Sequence, residues 1–427
     1  MPETASNTTF SEGYKRYVLL VLTGVYIFNF IDRQILVILQ ESIKADLLLS
    51  DTQLGLLTGF AFALFYVTLG IPIARLADKT NRKKIIAVSL AVWSAMTVLS
   101  GRASNFVQLL LARVGVGIGE AGASPPAHSM ISDYFPENRR ATALATYSMG
   151  IYIGILLGYL FGGWLDEYFG WRTALLVVGL PGVLYALFFY LTVKEPPRGY
   201  SEKIKTTGAE YSMMQVFGLL MSRKAFVFLA FACGLHAFVV YGVGNWMPSL
   251  LSRLHEMPRG EIGTWLAIGS GGGGILGVWL GGYLSDRLSV YDKRWYLWLP
   301  ALAVFVSLPL TTLMIFSTNK YVVVLVNIVV KTLWSFYLGP CIAMAHGMVG
   351  LKMRALASAV LFLFLNLIGL GMGPLFIGMV SDYLEPELGI ESLRWSLGFG
   401  VIISALAVLL FWRGAVFLKG DLARAPK

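Results

Sequence analysis

Twelve apolar runs of about 20 or more residues dominate this sequence of 427 residues. A run of about 20 residues crosses a bilayer as an α-helix, whereas a membrane β-strand needs only about 10 residues of alternating character. Only 14% of the residues are charged, compared with about 25% in a typical soluble domain. These features exclude a soluble enzyme, a nucleic-acid-binding domain, a disordered chain and a transmembrane β-barrel.

The sequence predicts an all-α membrane protein with twelve transmembrane helices, here called spans one to twelve. Their predicted limits are residues 16–40, 53–76, 84–104, 106–132, 139–165, 171–193, 221–251, 261–286, 294–317, 320–349, 353–383 and 393–418. The longest polar connection separates six spans from six. We therefore predict an N-terminal six-helix bundle over 1–193, a cytoplasmic linker over 194–220 and a C-terminal six-helix bundle over 221–427.

The basic residues favour one orientation of these spans. If both termini face the cytoplasm, the inner segments hold 24 of the 34 lysines and arginines, and the outer segments hold seven. Cytoplasmic loops of membrane proteins carry this excess of positive charge. The net charge of +10 is therefore an orientation signal, and no nucleic-acid partner is expected. We expect a multi-pass plasma membrane protein, in a bacterial inner membrane, with both termini cytoplasmic.

Five ionisable side chains fall inside the predicted spans, where a charge is costly and is a functional candidate by default. They are Asp32, Arg33, Arg113, Glu120 and Lys331. A carboxyl balanced between burial and a nearby arginine can load and release a proton near neutral pH. We therefore predict proton coupling at Asp32 and Glu120. The alternative is that the charges form permanent ion pairs that tie helices together.

Helix geometry predicts how these charges pair. Arg113 and Glu120 are seven residues apart, on one face of span four and about 10.5 Å apart along its axis. They therefore cannot bond directly, and Glu120 needs another partner. Arg33 is the expected partner if spans one and four face each other. Protonation of an acid would then free an arginine for an anionic headgroup.

A substrate cavity is predicted between the two halves of the chain. Lys331 lies about eleven residues into span ten, near the bilayer midplane. The predicted substrate-binding residues are Arg33, Arg113, Lys331, Asn29, Tyr241, Asn245 and Trp334. The alternatives are a hydrated, cavity-lining charge for Lys331 and packing roles for the aromatic residues. For His128, His236 and His346 a packing role is favoured over proton relay. No metal-binding cluster is apparent, and no cofactor is expected.

Glycines recur every four residues on one face of span five and again in span eight. Small residues at this spacing let helix backbones approach closely. We predict that spans five and eight pack together and slide during gating. The residues are Gly150, Gly154, Gly158 and Gly162 in span five and Gly273, Gly277 and Gly281 in span eight.

Charged residues at the predicted inner helix ends favour latches between helices on the inner face. The alternative is a solvated loop that carries positive charge for orientation only. The predicted latch residues are Asp78, Arg82, Arg139, Arg140, Asp286, Arg287 and Arg354.

Three motifs resemble signatures of the major facilitator superfamily. The loop after span two carries Ala74, Asp78-Lys79 and Arg82-Lys83, span four carries Arg113, Gly117, Gly119 and Ala121, and span five carries Gly154, Gly158 and Gly162-Gly163. A narrower resemblance, to the spinster branch, rests on residues 29–39, 49–66, 117–136 and 369–382. The resemblance implies two six-helix bundles with pseudo-two-fold symmetry and proton-linked transport by alternating access. In animal members of the branch the cargo is sphingosine-1-phosphate or a lysophospholipid.

These observations together predict a proton-coupled secondary transporter, not an enzyme. The expected partners are protons, membrane lipids and an amphiphilic anionic cargo such as a lysolipid, and the protein is expected to be a monomer. An alternative cargo is a small organic anion or a drug-like amphiphile that uses the same charges. A membrane enzyme acting on lipid is a third possibility, although no nucleophile–base pair is apparent.

Overall fold

The computed structural model describes residues 10–201, 211–350 and 353–425, without the side chains of residues 71, 74, 78, 137 and 141. Within these residues, nine helical segments are long and apolar enough to cross a membrane. Two of them, Asn138–Thr192 and Arg354–Ala423, each hold two spans. The glycine-rich helical segment 259–289 completes the set of twelve.

The helices follow the predicted spans closely. In the first half of the chain they are Glu12–Leu47, Asp51–Gly55 with Leu56–Phe60 and Ala61–Lys79, Arg82–Ser100, Phe106–Glu120 with Ser124–Tyr134, and Glu137–Thr192. In the second half they are Lys224–His255, Arg259–Leu266 with Ala267–Gly273 and Gly274–Ser289, Trp295–Phe316, Lys320–Trp334 with Leu338–Gly347, Arg354–Phe364 with Leu365–Met372 and Gly373–Leu388, and Ser392–Ala423. A short helix, Met213–Met221, lies in the predicted linker.

Local sequence signals set where these helices begin and turn. Asn105 and Asn319 cap spans four and ten by accepting hydrogen bonds from backbone N–H groups in the first turn, which satisfies donors that the helix leaves unpaired. Spans five and six separate at Gly170, whose φ of 78° lies in a region that favours glycine. Spans eleven and twelve separate at Gly389, whose φ is 54°.

Spans two, eight and eleven each contain a π-helical segment: Leu56–Phe60, Ala267–Gly273 and Leu365–Met372. Such segments are rare and occur frequently at functional sites. Here they lie where the two halves meet. A Cβ added to Gly59 would lie 2.9 Å from the carbonyl oxygen of Leu370, and one added to Gly271 would lie 2.8 Å from the Cβ of Leu156.

The glycine stripes pack against other helices than predicted. Gly150, Gly154, Gly158 and Gly162 face span one, where added Cβ atoms would meet atoms of residues 23–38. Gly273, Gly277 and Gly281 face span ten, at residues 328–336. The two stripes therefore do not meet each other, because each closes a contact inside its own half, although the predicted packing of span five against span eight is confirmed.

Spans five and eight nevertheless touch, through other residues. A Cβ added to Gly163 would lie 2.5 Å from the carbonyl oxygen of Arg259, and one added to Gly263 would lie 2.4 Å from that of Tyr159. Spans two and eleven meet in the same way, since a Cβ on Gly378 would lie 2.3 Å from the carbonyl oxygen of Asp51. These two contacts join the first six spans to the last six.

Both contacts lie at one end of the bundle, which we call the far end. It holds the helix termini at Leu47, Asp51, His255, Arg259 and Leu388. The near end is the opposite one, and it holds the first residues of span one, the helix Met213–Met221 and the last residues of span twelve.

Candidate functional site

The candidate site is centred on an ion pair between spans one and four. The Nε of Arg33 donates to Oε2 of Glu120 at 2.6 Å. The Glu120 side chain is fully buried, and that of Arg33 is 14% exposed. The predicted partner of Glu120 is thus confirmed. A buried, charge-assisted bond of this length is among the stronger interactions a side chain makes.

Span four is broken directly after Glu120. Its first helix ends at that residue, and its second begins at Ser124 with Pro125 and Pro126 in the first turn. Proline has no backbone N–H and is tolerated at a helix start but not in its interior. The two prolines therefore place the break beside Glu120.

Asp32 and Arg113 complete a group of four charges inside the first six spans. Asp32 is 1% exposed and Arg113 is 2% exposed. The charged neighbours of the Asp32 carboxyl are Glu120 and Arg113, and those of Arg113 include both acids. The side chains of Thr97 and Trp93 lie beside the Asp32 carboxylate, but in the part of the chain that the structure describes neither of its oxygens forms a hydrogen bond of standard geometry. A buried acid without partners is costly to keep ionised.

Aromatic rings surround the Arg33 guanidinium. Its Cζ lies 5.0, 4.7 and 4.9 Å from the ring centroids of Phe30, Phe62 and Tyr66, which are cation–π distances. Tyr241 of span seven is another neighbour of this guanidinium. Arg33 therefore lies where the first half of the protein meets the second.

The other predicted binding residues occupy different surroundings. Asn29 is buried on span one beside Glu120. The backbone carbonyl oxygen of Asn245 accepts from Gln40 at 2.9 Å, and its side-chain amide donates to the carbonyl oxygen of Thr58 at 3.5 Å, so Asn245 is part of the contact between the halves. Trp334 is 1% exposed, and its Nε1 donates to the Ser307 hydroxyl at 3.1 Å. Asn245 and Trp334 thus already bond within the protein.

Lys331 stands apart from the four charges of the first half. It is partly exposed, and its Nζ lies 5.2 Å from the centroid of the Trp334 ring. The bond between the ring of His236 and the carbonyl oxygen of Trp334, 2.9 Å long, helps to hold this region rigid. His128 packs against the ring of Tyr147. His346 lies 2.6 Å from the Ser358 hydroxyl.

An ion network at the far end joins the halves, and sequence reasoning missed it. Arg253 of span seven donates through Nε and Nη2 to Glu41 of span one at 2.9 and 2.8 Å. Both of its Nη atoms donate to Asp51 of span two, each at 2.7 Å. Lys44 also donates to Asp51, at 2.6 Å. The sequence did contain a signal for this network, because Arg253, Glu41 and Asp51 all lie near predicted outer helix ends and carry opposite charges.

Two carboxylates bind helix N-termini across the same boundary. Asp382 of span eleven accepts from the backbone N–H groups of Asp51 and Thr52 at 2.9 and 2.7 Å. Glu167 of span five accepts from the N–H of Gly260, at the start of span eight, at 2.6 Å. Acids stabilise helix N-termini because they neutralise unpaired N–H groups and the positive end of the helix dipole. A carboxylate at a helix N-terminus therefore joins span eleven to span two, and a second one joins span five to span eight.

The predicted latch residues bond between helices at the near end, where Arg82 links spans three and four and Arg139 links spans five and one. Arg82 pairs with Asp133 and Glu195. Arg139 pairs with Glu12, and Arg140 donates to the carbonyl oxygen of Ser132. Asp286 accepts from the Tyr296 hydroxyl, Arg287 donates to Tyr283, and Arg354 is exposed. The side chain of Asp78 lies outside the described residues.

Comparisons with known proteins agree with this architecture. The model of the Major Facilitator Superfamily matches residues 22–374. The chain is 33% identical over 406 residues to an MFS-type efflux pump of Mycolicibacterium smegmatis, covering 94% of this chain and 93% of that protein. It is 29% identical over 262 residues to the cis,cis-muconate transport protein of Acinetobacter baylyi, covering 58% of this chain and 60% of that protein.

A solved structure matches along almost the whole length. It is the crystal structure of a bacterial homolog of the human lysosomal transporter Spinster, in an inward-facing and unoccupied conformation. The TM-score is 0.89 at 32% sequence identity, and the match covers 96% of this chain and 99% of that one. The chain belongs to the major facilitator superfamily, as a multi-pass membrane protein related to the spinster transporters.

Proposed function

We propose that this protein is a proton-coupled secondary transporter that moves an anionic amphiphile, such as a lysolipid, by alternating access. The observation that carries the proposal is the buried ion pair between Arg33 and Glu120 at the break of span four. An ion pair in an apolar site stays intact only while both partners are charged. A proton that reaches Glu120 therefore removes the partner of Arg33.

The surroundings of Arg33 give this step a consequence. Once Glu120 is neutral, the Arg33 guanidinium is left among aromatic rings and beside Tyr241 of span seven. A charged guanidinium without a counter-ion favours an anionic group of the cargo. Asp32 acts as the second acid, because it shares Arg113 with Glu120 as a charged neighbour. Proton binding and cargo binding are linked in this way.

Aromatic surface near Arg33 suits an acyl chain or another apolar tail. The rings of Tyr26 and Tyr147 stack at 4.3 Å, and those of Phe62 and Tyr66 lie 5.6 Å apart. Aromatic rings supply large apolar contact area. The alternative cargo, a small organic anion, is supported by similarity to the muconate transport protein. That cargo would use the same arginines and less of the aromatic surface.

We further propose that the near end faces the cytoplasm of a bacterial cell, with both termini inside. The bias of lysine and arginine toward the near end supports this orientation. In that orientation the state described is closed toward the outside by the network around Arg253. We expect the protein to act as a monomer.

Proteoliposomes with an imposed pH gradient test the proposal. Uptake of a labelled lysophosphatidate should depend on the gradient in the wild type and lose that dependence in Glu120→Gln and Asp32→Asn. Glu387→Gln is the matched control, because Glu387 is an exposed acid at the far end of span eleven. Unchanged pH dependence in both site variants would rule out the proposed coupling. Gradient-driven uptake of a labelled dicarboxylate instead would favour the alternative cargo.

A further inference from the structure

We propose that Lys331 binds the acidic group of the cargo from the second half of the protein, opposite Arg33, which the proton on Glu120 frees in the first half. This inference rests on the proposed transport function and names the cargo's charged anchor. It follows from the position of Lys331 in the repeat, from its surroundings and from the charge balance of the interior.

Spans four and ten have the same broken layout. Each has a first helix of 15 residues that follows a capping asparagine, Asn105 or Asn319. Each first helix is followed by a three-residue interruption and a second helix, Ser124–Tyr134 or Leu338–Gly347. Aligning the two caps places Lys331 one helical turn before the break of span ten. The break of span four lies at Glu120, so both halves present an ionisable residue at an interrupted helix. Interrupted helices near the midplane are where transporters of this kind bind cargo.

Lys331 is seated by its neighbours without being neutralised by them. A Cβ added to Gly244 of span seven would lie 2.7 Å from its Nζ, so the missing side chain at Gly244 makes room for the ammonium. The Trp334 ring beneath it is fixed through Ser307. The amide of Asn327, one turn earlier, is buried and lacks a hydrogen-bond partner among the described residues.

Within the described ranges, no acid pairs with this ammonium. Among the ion pairs of the described residues, none includes Lys331. The acids of spans seven to twelve lie at helix ends, at Glu261, Asp286, Asp382, Glu385, Glu387 and Asp421. An unpaired ammonium that is only partly exposed is incompletely hydrated, which is costly, and an anion that arrives there offsets that cost.

The charge balance of the interior defines the class of ligand. In the first half, Asp32 and Glu120 are charged neighbours of Arg113, and Glu120 pairs with Arg33. Lys331 has no such acid beside it among the described residues, so an acidic group on the cargo supplies the missing counter-charge. The cargo is therefore an amphiphile with an acidic group, a phosphate or a carboxylate. The neutral counterpart of the same molecule lacks the group that Lys331 recognises.

Binding to the protein in lipid nanodiscs tests this proposal. The probes are a lysophosphatidate, an N-acylglycine and a monoacylglycerol with the same acyl chain, which carry a phosphate, a carboxylate and no charge. Wild-type protein should prefer one or both charged probes to the neutral one. Lys331→Met should weaken binding of the preferred probe about tenfold or more, with less than a twofold change for the monoacylglycerol. Lys331→Arg should restore most of the affinity.

Two further variants keep the test decisive. Lys320→Met removes a lysine at the far end of the same helix, where it meets Glu261 at 3.5 Å, and should leave binding unchanged. Gly244→Ala adds a methyl group 2.7 Å from Nζ, so the ammonium must shift, and the variant should weaken charged probes selectively even if Lys331→Met fails to fold. Equal wild-type affinity for charged and neutral probes, including no binding of either, would overturn the proposal. So would an equal loss of all probes in Lys331→Met and Gly244→Ala.

The outcome is separable from that of the proposed coupling. Loss of charge preference in Lys331→Met, together with normal pH dependence in Glu120→Gln, would keep the anion site and reject the proton site. The reverse pattern would keep proton coupling and reject Lys331 as the anchor.

Discussion

The far and near ends of the bundle hold the same kinds of charged residue but use them differently. At the far end, Arg253 bonds across the boundary between the halves to Glu41 and Asp51. At the near end, Arg82 bonds within the first half to Asp133 and Glu195. The far-end bonds must break if the protein opens there, whereas the Arg82 bonds can persist through the whole cycle.

This difference separates residues that set the conformation from residues that set stability. A bond between two rigid bodies adds free energy to one conformation only, so its loss shifts the equilibrium. A bond inside one body is present in every conformation, so its loss lowers stability without a shift. A residue that bonds across the boundary should therefore set the conformation, and a residue that bonds within one half should set stability.

The largest effect is expected from Arg82→Ala at the near end. Arg82 is 1% exposed, and its loss leaves two acids without their partner, which should lower the free energy of unfolding by about 3 kcal/mol. Denaturant unfolding of purified protein measures this change. Arg139→Ala is the control, because its side chain is 61% exposed in the pair with Glu12 and such pairs contribute about 0–1 kcal/mol. A shift in the conformational equilibrium without loss of stability would contradict the claim that Arg82 sets stability.

The next effect is expected from Arg253→Ala at the far end. Removing this arginine should favour the far-open state by about 2 kcal/mol, or about thirtyfold in population. Spin labels at Leu48 and Tyr383, which are 88% and 83% exposed, report the distance between the halves by pulsed electron resonance. The native cysteines, Cys233 and Cys341, are buried and should not take the label.

Arg394→Ala is the matched control for this experiment. Arg394 is also a far-end arginine, but it bonds to Glu391 in its own half at 2.7 Å. Its removal should leave the Leu48–Tyr383 distances unchanged. Equal shifts in the two variants would mean that the far-end network does not hold the halves together.

A smaller effect is expected from the two carboxylates that bind helix N-termini. Asp382→Asn and Glu167→Gln keep an oxygen that accepts a hydrogen bond but lose the charge that faces the helix dipole. Each should favour the far-open state by about 0.5–1 kcal/mol, and the double variant should show the sum, because the sites are separate. The same labels measure the shift, with Glu387→Gln as control. A loss of stability without a change in the Leu48–Tyr383 distance would mean that these acids set stability and not the conformation.

The smallest effect concerns Asp292, in the near-end connection between spans eight and nine. Hydrogen bonds from Arg294 and Lys419 hold the pKa of this exposed carboxyl well below its usual range. Because the folded pKa is the lower one, its contribution to stability is complete above about pH 4 and is lost as the pH falls through the folded pKa. Asp292→Asn should therefore lower the melting temperature slightly and equally between about pH 5 and about pH 8. If the difference in melting temperature between Asp292→Asn and the wild type changed between about pH 5 and about pH 8, the lowered pKa of Asp292 would be contradicted.

The sequence predicted the spans and the Arg33–Glu120 pair because both follow from the cost of polar groups in lipid. An acid and an arginine in apolar helices leave few possible partners. The far-end network was not predicted, because Glu41, Asp51 and Arg253 lie at helix ends, where charges are ordinary. The partners of the glycine stripes were not predicted either, since a row of small residues permits close packing against any helix. The break after Trp334 was not predicted either, because the helix that follows it has a single proline, Pro340, in its first turn, where span four has two.

The most direct test of the account follows the two ends of the molecule as Glu120 is titrated. One label pair at Leu48 and Tyr383 reports the far end, and a second pair at the exposed residues Lys84 and Val290 reports the near end. In the wild type, lowering the pH should change the two distances in opposite directions, and in Glu120→Gln both should be independent of pH. An unchanged pH response in Glu120→Gln, or two ends that move apart together, would contradict the claim that a proton on Glu120 drives the alternation.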